Sequence, residues 1–300
     1  MLTSTIASAR PRVVLWAPEL PVHNRYQGLA DVRSAAEEFC SPAGLHRRPW
    51  LERLQRALAE DLFVLHFQPI VSLKGELVEG GVSHYEALLR LADEPDGRLV
   101  APGRFLPAAE RYGLIRDIDR MVLAKVISLL GGEHARDGVS LAVNLSAVSI
   151  TDRGMLAEIE HRLALSRVDP SRLVIEITET ASISDMEKAR AFCAGVQTLG
   201  CAVALDDFGA GFGSFQYLKH LPFRYLKIDG DFIRGLPASP NDQLVVKALV
   251  GVVQGMGRLT IAEFVGDEPT LTLLREYGID YAQGYEVGRP QPALPLVAAS

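Results

Sequence analysis

From about residue 139 onward, short apolar runs alternate with longer amphipathic segments, and this rhythm constrains the fold more than any other feature. Short runs rich in Val, Ile and Leu indicate buried parallel strands, and amphipathic segments such as 185–200 and 241–257 indicate the helices that cover them. The runs are residues 140–144, 172–177, 202–206, 224–228, 258–263 and 280–283. With earlier runs near 64–71 and 83–90, about eight strands fall within roughly 250 residues, which predicts a TIM-like (β/α)8 barrel.

The segment before the barrel pattern has a different composition. Residues 1–46 carry several prolines and only short apolar runs, so we interpret them as a linker or the remnant of an upstream segment. A helix is predicted over residues 49–63, because apolar side chains recur on one helical face there as far as Leu62. Residues 47–300 are then predicted to form one folded domain.

Composition limits the classes of function. No apolar run reaches the roughly 18 residues that a membrane-spanning helix needs, so we expect no membrane span. The odd set of three cysteines, including Cys193 and Cys201 in apolar surroundings, indicates reduced thiols packed in a cytoplasmic protein. A formal net charge of −6 argues against binding of a nucleic acid polymer, which requires a basic surface. A small anionic ligand remains compatible with this charge if cations lie between it and the protein.

Each predicted strand from residue 139 onward closes on a polar residue. In a barrel, the carboxyl ends of the strands meet at one face, and that face carries the active site. These polar residues are therefore expected to meet in space: Asn144, Glu176, Asp206, Lys227, Glu263 and Gln283. The predicted strand at 83–90 adds Glu86, Leu88 and Arg90, which project to one side because side chains alternate along a strand.

This set of side chains suits a hard divalent cation. Carboxylate and carboxamide oxygens favour Mg²⁺ or Mn²⁺, and two adjacent carboxylates repel each other unless a cation lies between them. Two metals about 3.5–4 Å apart form the usual arrangement for phosphodiester hydrolysis. We expect Asp206 to bridge two such ions and Asp207 to complete the second, with the glycine-rich segment 208–214 closing over the site.

Each candidate also has a purely structural interpretation. Asn144 or Asp207 could cap a following helix, which is a common role for these residue types. Glu176 could serve only as the ion-pair partner of a lysine or arginine in the barrel, and Lys227 only as the partner of Asp206. Arg90 could be an ordinary surface arginine, although a guanidinium also forks onto phosphate oxygens.

Nine motifs follow one another in a fixed order along the chain. They are FQPIV (67–71), YEALLR (85–90), FLPAAERYGLI (105–115), VNLS (143–146), EITE (176–179), DDFGAGFGSF (206–215), YLKIDGDF (225–232), TIAEF (260–264) and DYAQGY (280–285). From about residue 48 to 292 the chain thereby resembles the EAL domain family, bacterial phosphodiesterases that hydrolyse cyclic di-GMP. The resemblance implies a barrel of the EAL type with one antiparallel strand, and it identifies residues 47–300 as an EAL domain.

The resemblance also assigns roles to individual residues. It implies that two Mg²⁺ or Mn²⁺ ions are held by Glu86, Asn144, Glu176, Asp206 and Asp207. It implies catalytic or loop-steadying roles for Lys227, Glu263, Gln283 and Glu179, and ligand contacts for Gln68, Leu88 and Arg90. The implied reaction opens cyclic di-GMP to linear pGpG in second-messenger signalling, and the family suggests a homodimer and an upstream regulatory domain or partner protein.

One alternative function and one departure from the family pattern remain. A cyclic di-GMP receptor with weak or no catalysis, acting through a protein partner, is the second hypothesis, and relatives of that kind usually lack some metal ligands. The common family form AEGVE is here AEFVG (262–266), so Phe264 replaces a glycine and Gly266 replaces a glutamate. Because Glu263 remains, we expect the departure at Gly266 to have a modest effect.

Overall fold

The structure is a computed structural model that describes residues 48–74, 82–92, 97–132, 138–178, 185–209 and 215–294. Three features named above lie outside the described residues. They are the segment 1–46 with Cys40, the residue Glu179, and the glycine-rich positions 210–214. In the part of the chain that is described, no helix has the length and apolar character needed to cross a bilayer.

Eight strands close into a barrel in sequence order, from β1 to β8 and back to β1. Strand β1 runs antiparallel to both of its neighbours, β2 and β8, and the remaining pairs are parallel. The bounds are β1 Phe63–Ser72, β2 Val82–Leu91, β3 Leu141–Leu145, β4 Leu173–Thr178, β5 Ala202–Phe208, β6 Tyr225–Ile228, β7 Leu259–Ala262 and β8 Tyr281–Gln283. The predicted barrel and its single antiparallel strand are thereby confirmed.

Helices cover the outside of the barrel. They are α1 Arg48–Ala59, α2 Leu106–Arg111, α3 Ile115–Gly131, α4 Ala147–Ile150, α5 Met155–Ser166, α6 Met186–Thr198, α7 Phe215–His220, α8 Gly230–Ile233, α9 Pro240–Gly255 and α10 Glu268–Glu276, with 3-10 turns at Pro102–Arg104, Pro170–Arg172 and Leu236–Ala238. The helix predicted over 49–63 ends earlier than expected, at Ala59. Asp61 adopts a left-handed backbone with φ 55°, so the chain reverses there and Phe63 already begins β1.

Side-chain alternation along the strands divides the core into two layers. On β3, Leu141, Val143 and Leu145 pack outward into the large cluster beneath the helices, while Ala142 faces the barrel interior. The interior cluster is built from small or β-branched side chains together with Tyr225. Cys193 and Cys201 are buried in the outer layer, where burial raises the pKa of both thiols to about 12, in agreement with their predicted packing role.

Candidate active site

The polar strand ends lie on the interior face because each follows an interior apolar residue by two positions. Side chains alternate along a strand, so residues two apart share a face. The interior cluster supplies the first member of each pair. The pairs are Ala142 with Asn144, Val174 with Glu176, Ala204 with Asp206, Tyr225 with Lys227, and Ile261 with Glu263. The strand-end residues therefore converge at the carboxyl-terminal mouth of the barrel, as the sequence predicted.

The ammonium group of Lys227 is the centre of this cluster. Its Nζ lies 3.1 Å from Glu86 Oε2, 3.0 Å from Glu176 Oε2, 3.2 Å from Asp206 Oδ1 and 2.8 Å from Glu263 Oε1. All five side chains are buried. Four carboxylates around one ammonium leave a formal charge of −3 on the cluster, so the site has a strong electrostatic demand for further cations. The sequence had indicated only one of these four partners, Asp206.

Two carboxamides hold Glu86 in place from either side. Asn144 Nδ2 donates to Glu86 Oε1 at 2.6 Å, and Gln283 Nε2 donates to Glu86 Oε2 at 2.7 Å. Gln283 Nε2 also lies 3.3 Å from Gln68 Oε1, and Gln68 Nε2 donates to the carbonyl of Gly288 at 3.1 Å. These bonds join β1, β2, β3 and β8 into one network. Gln68, a predicted ligand contact, is thus part of the support for the carboxylate cluster.

The capping role considered for Asn144 belongs to a different residue. Ser146 is the N-cap of α4, and its hydroxyl accepts a hydrogen bond from the backbone N–H of Ser149 at 3.3 Å. Ser146 is itself held by the buried carboxylate of Asp119 on α3, which accepts from its N–H at 3.0 Å and its Oγ at 2.5 Å. Asn144 is therefore directed into the site while the following helix is capped independently.

A local break in the strand pattern brings the neighbouring aspartates to the same side. Strict alternation would send Asp206 and Asp207 to opposite faces. However, Asp207 adopts a left-handed backbone with φ 56°, and the β5–β6 register shifts between Leu205 and Phe208. One ligand oxygen each from Asp206, Asp207 and Glu263 consequently lie within 4.8 Å of one another, a spacing that a metal ion can bridge. Asp206 Oδ1 also accepts the Asp207 N–H at 3.0 Å, which fixes the turn.

Asp229 is a further acid near this cluster that the sequence analysis did not select. It directly follows β6, it is buried, and its Oδ1 accepts the Asp231 N–H at 2.7 Å. Burial raises the pKa of the Asp229 carboxyl, and the negative charge of nearby Asp207 raises it further. Its position two residues after Lys227, in the quoted motif YLKIDGDF, was the available signal.

Two further predicted residues, Leu88 and Arg90, lie along the rim. Leu88 and Arg90 follow Glu86 on β2 toward the mouth, and both are half-buried. Arg90 Nη1 donates to the carbonyl of Leu89 at 2.8 Å, which orients the guanidinium. Glu179 follows β4, outside the described residues.

The donor set fits a hard divalent cation. The cluster offers carboxylate oxygens and a carboxamide, which are the ligands that Mg²⁺ and Mn²⁺ prefer. The side-chain nitrogen of Asn144 donates a hydrogen bond to Glu86, and its carbonyl oxygen is the atom that can coordinate a cation. The excess negative charge around Lys227 supplies the electrostatic reason for a cation to bind.

Comparison with known proteins identifies a matching family model and several relatives of this chain. The sequence model of the EAL domain matches residues 51–290. The cyclic di-GMP phosphodiesterase PdeB of Shewanella oneidensis is 36% identical over 249 residues, covering 81% of this chain and 28% of that protein. The cyclic di-GMP phosphodiesterase PdeF of Escherichia coli is 31% identical over 291 residues, covering 91% of this chain and 38% of that protein. The chain thus spans well under half the length of these relatives.

A solved structure shows the same architecture. The crystal structure of the FimX EAL domain from Pseudomonas aeruginosa, bound to c-di-GMP, is similar to this chain with a TM-score of 0.75 and 35% sequence identity. The similarity covers 83% of this chain and 99% of that domain. The described barrel therefore recurs in a domain whose solved structure contains bound c-di-GMP.

Proposed function

The chain belongs to the EAL domain family, and on this premise we propose that it is a metal-dependent phosphodiesterase that hydrolyses cyclic di-GMP to linear pGpG. The observation that carries the proposal is the convergence of four buried carboxylates on Lys227, with Asp207 beside them. A protein that only bound the dinucleotide would have no need to bury so much uncompensated negative charge, because such a cluster is costly to desolvate.

We propose that the cluster holds two Mg²⁺ or Mn²⁺ ions. Glu86, Asn144, Glu176 and Asp206 would hold one ion, and Asp206 and Asp207 the other, with Glu263 reaching the pair directly or through water. When bound, such ions supply Lewis acidity toward a phosphodiester and lower the pKa of a water. The short distances among the oxygens of Asp206, Asp207 and Glu263 support this assignment.

Lys227 has two tasks in this proposal. Its ammonium lies among four carboxylates and keeps them together although they repel one another. In this proposal the same positive charge would face the attacking water and the phosphoryl group, so it would stabilise negative charge that develops during the reaction. Because the group is already positioned and buried, it does so without reorganisation.

Gln283 is suited to orient the attacking water. Its amide nitrogen is committed to Glu86 and Gln68, which fixes the direction of the amide. Its carbonyl Oε1 is buried and accepts no hydrogen bond from the described residues. A buried acceptor of this kind at the edge of the cluster can hold a water through one of its protons.

Residues at the rim would bind the substrate. The Arg90 guanidinium would bind a phosphate oxygen, and Leu88 would provide an apolar contact. Gln68 lies beside the site, where its side chain is hydrogen-bonded to Gln283. Glu179 is proposed to steady the glycine-rich loop after the aspartate pair. A homodimer, an upstream regulatory domain or partner protein, and a cytoplasmic location belong to the same proposal.

The test is a hydrolysis assay paired with a binding assay. Purified chain, cyclic di-GMP and Mg²⁺ or Mn²⁺ are incubated, and linear pGpG is followed by chromatography. Binding of the dinucleotide is measured in parallel by calorimetry, with Glu86→Gln as the control for hydrolysis. Formation of pGpG by the wild type and not by the variant supports the phosphodiesterase. Tight binding without any product would instead identify a receptor.

A further inference from the structure

The backbone at Phe264 turns the chain over directly after Glu263. Glu263 N–H donates to the Ile228 carbonyl on β6 at 3.1 Å, whereas Val265 N–H donates to the Gln283 carbonyl on β8 at 3.0 Å. In an extended strand, residues two apart donate toward the same neighbour. Phe264 lies between them with φ 54°, and this left-handed conformation reverses the direction in which the next N–H points.

A bulky residue rarely adopts this conformation. Glycine does so without steric cost, and the common family form has glycine at the position. In this chain the aromatic ring supplies contacts that glycine cannot make. The Phe264 side chain packs closely against Gly230, where an added Cβ would fall 2.4 Å from Phe264 Cδ2. The guanidinium of Arg234 lies 4.1 Å from the ring centroid, and Asp231 pairs with that guanidinium at 3.2 Å.

The helix that holds the ring also contacts the strand end that carries the aspartates. Gly230 belongs to α8 and Arg234 follows it, and this helix begins directly after β6, the strand of Lys227. Phe232 on α8 packs against Gly209, where an added Cβ would fall 2.3 Å from the Phe232 ring. On the C-terminal side of Phe264, the Val265 backbone packs tightly against Gly284, which follows Gln283. Residue 264 is therefore anchored between the strands that carry Lys227, Glu263 and Gln283.

We infer that Phe264 is a positioning residue: its ring, held between the Gly230 backbone and the Arg234 guanidinium, fixes the Glu263 carboxylate beside Lys227 and the aspartate pair. The Glu263 carboxylate lies at the end of this turn, 2.8 Å from Lys227 Nζ and within the group of oxygens shared with Asp206 and Asp207. The consequence for metal binding rests on the proposed function. The placement of Glu263 against Lys227 is a property of the protein alone.

The first experiment measures binding of Mn²⁺ alone by electron paramagnetic resonance, in the absence of nucleotide. Phe264→Gly restores the permissive residue but removes the ring, and we expect its Mn²⁺ affinity to fall about tenfold, since changes in groups that orient metal ligands cost about 10–100-fold. Phe264→Tyr keeps the ring and should bind like the wild type. Lys247→Ala is the matched control, because it removes a cation–aromatic contact with Tyr277, 4.3 Å from that ring centroid, on the outer helices.

The second experiment needs no metal. In chelator, the shift in melting temperature caused by Glu263→Gln is compared in the wild-type, Arg234→Ala and Lys247→Ala backgrounds. We expect the shift to shrink in the Arg234→Ala background and to remain unchanged in the Lys247→Ala background, because only the first loosens the turn that carries Glu263. Circular dichroism confirms that each variant is folded.

The outcomes separate the two ideas. Equal Mn²⁺ affinity for wild type and Phe264→Gly, or strict additivity of Arg234→Ala with Glu263→Gln, would overturn the positioning role. A wild type that binds no Mn²⁺, but shows the coupling between Arg234 and Glu263, would overturn the metal-dependent function and leave the positioning role supported.

Discussion

Lys227 Nζ lies 2.8 Å from Glu263 Oε1, the shortest of the four carboxylate distances around that ammonium. The two residues end adjacent strands, β6 and β7, and Lys227 pairs in register with Ile261, two positions before Glu263. A buried ammonium that contacts four carboxylates compensates only part of their charge, so the mouth of the barrel is prepared for additional cations.

The first prediction concerns the cations themselves. Chelation should abolish hydrolysis of cyclic di-GMP, and Mg²⁺ or Mn²⁺ should restore it, because the carboxylate cluster would otherwise repel an anionic substrate. Ca²⁺ should inhibit, since its longer bonds and looser geometry displace the attacking water. Initial rates in chelator, with each metal added back, provide the measurement. Undiminished activity in excess chelator would contradict the assignment of a metal site.

The second prediction concerns Lys227. Lys227→Ala should lower kcat about 100-fold or more while KM changes little, as expected for a charge that acts mainly on the transition state. In chelator, the same change leaves four buried carboxylates without their ammonium and should destabilise the fold by about 3–5 kcal/mol. Thermal melts with and without Mg²⁺ test this, because added cation should raise the melting temperature of the variant more than that of the wild type. A variant with normal kcat and raised KM would remove Lys227 from the catalytic set.

The third prediction concerns two carboxylates assigned to different ions. Glu86→Ala and Asp207→Ala should each lose most turnover and bind Mn²⁺ more weakly, by at least about 10–100-fold, since each removes a metal ligand rather than a group that only supports one. Glu158→Ala is the matched control, because it removes a carboxylate that pairs with Arg162 at 2.6 Å on the outer face of α5. Steady-state kinetics and Mn²⁺ titration of the three variants make the comparison. Normal turnover in Asp207→Ala would argue for a single-ion site.

The fourth prediction compares two positions in AEFVG. Gly266 is exposed, and an added Cβ there would meet only the Phe264 carbonyl, at 3.9 Å. Gly266→Glu should therefore fold normally and change turnover or dimer strength only a few-fold, in line with about 0.5–1 kcal/mol for the lost freedom of glycine. Glu263→Ala should be severely impaired under saturating Mg²⁺. An inert wild type that Gly266→Glu rescues would show that the natural chain is a receptor.

The fifth prediction concerns the buried thiols. Burial raises the pKa of Cys193 and Cys201 to about 12, so both stay protonated at pH 8 and behave as small apolar side chains. In a Cys40→Ser variant, native protein should show no fast reaction with a thiol reagent at pH 8, and two thiols should react after denaturation. Raising the pH to 9 should not change the native result, because this is still well below both values. Rapid stoichiometric labelling of the folded variant would show that α6 or β5 packs differently.

The sequence predicted the barrel well because its strands are short apolar runs that end on polar residues. Asn144 and Glu176 could be placed at one face from this pattern alone, since parallel strands end at the same side. The pattern could not predict how Asp207 reaches the same site, because strand alternation sends it to the other face and only the left-handed turn corrects this. It also could not count the partners of Lys227, because the pattern brings the strand ends to one face without showing which side chains come into contact there.

The departure from the family form in AEFVG has two parts, Phe264 and Gly266. Replacement of a glutamate by Gly266 removes a carboxylate, which is an obvious chemical change. Replacement of a glycine by Phe264 changes which backbone conformations are favourable at that position. Phe264 adopts a left-handed backbone beside Glu263 and its ring contacts Arg234, and the strand pattern predicted neither feature. A bulky residue in place of a glycine, directly after a candidate ligand, was the signal that the sequence contained.

The antiparallel direction of β1 determines at which end of the barrel the preceding helix, α1, is connected. In an all-parallel barrel, the chain that leads into the first strand arrives at the floor, opposite the reactive end. Here β1 starts at the rim, and only residues 60–62 separate the end of α1 from Phe63. Farther along the same strand, Gln68 pairs in register with Glu86. Helix α1 therefore joins the barrel at the same rim as the carboxylate cluster, and one strand, β1, leads from it to Gln68 beside Glu86.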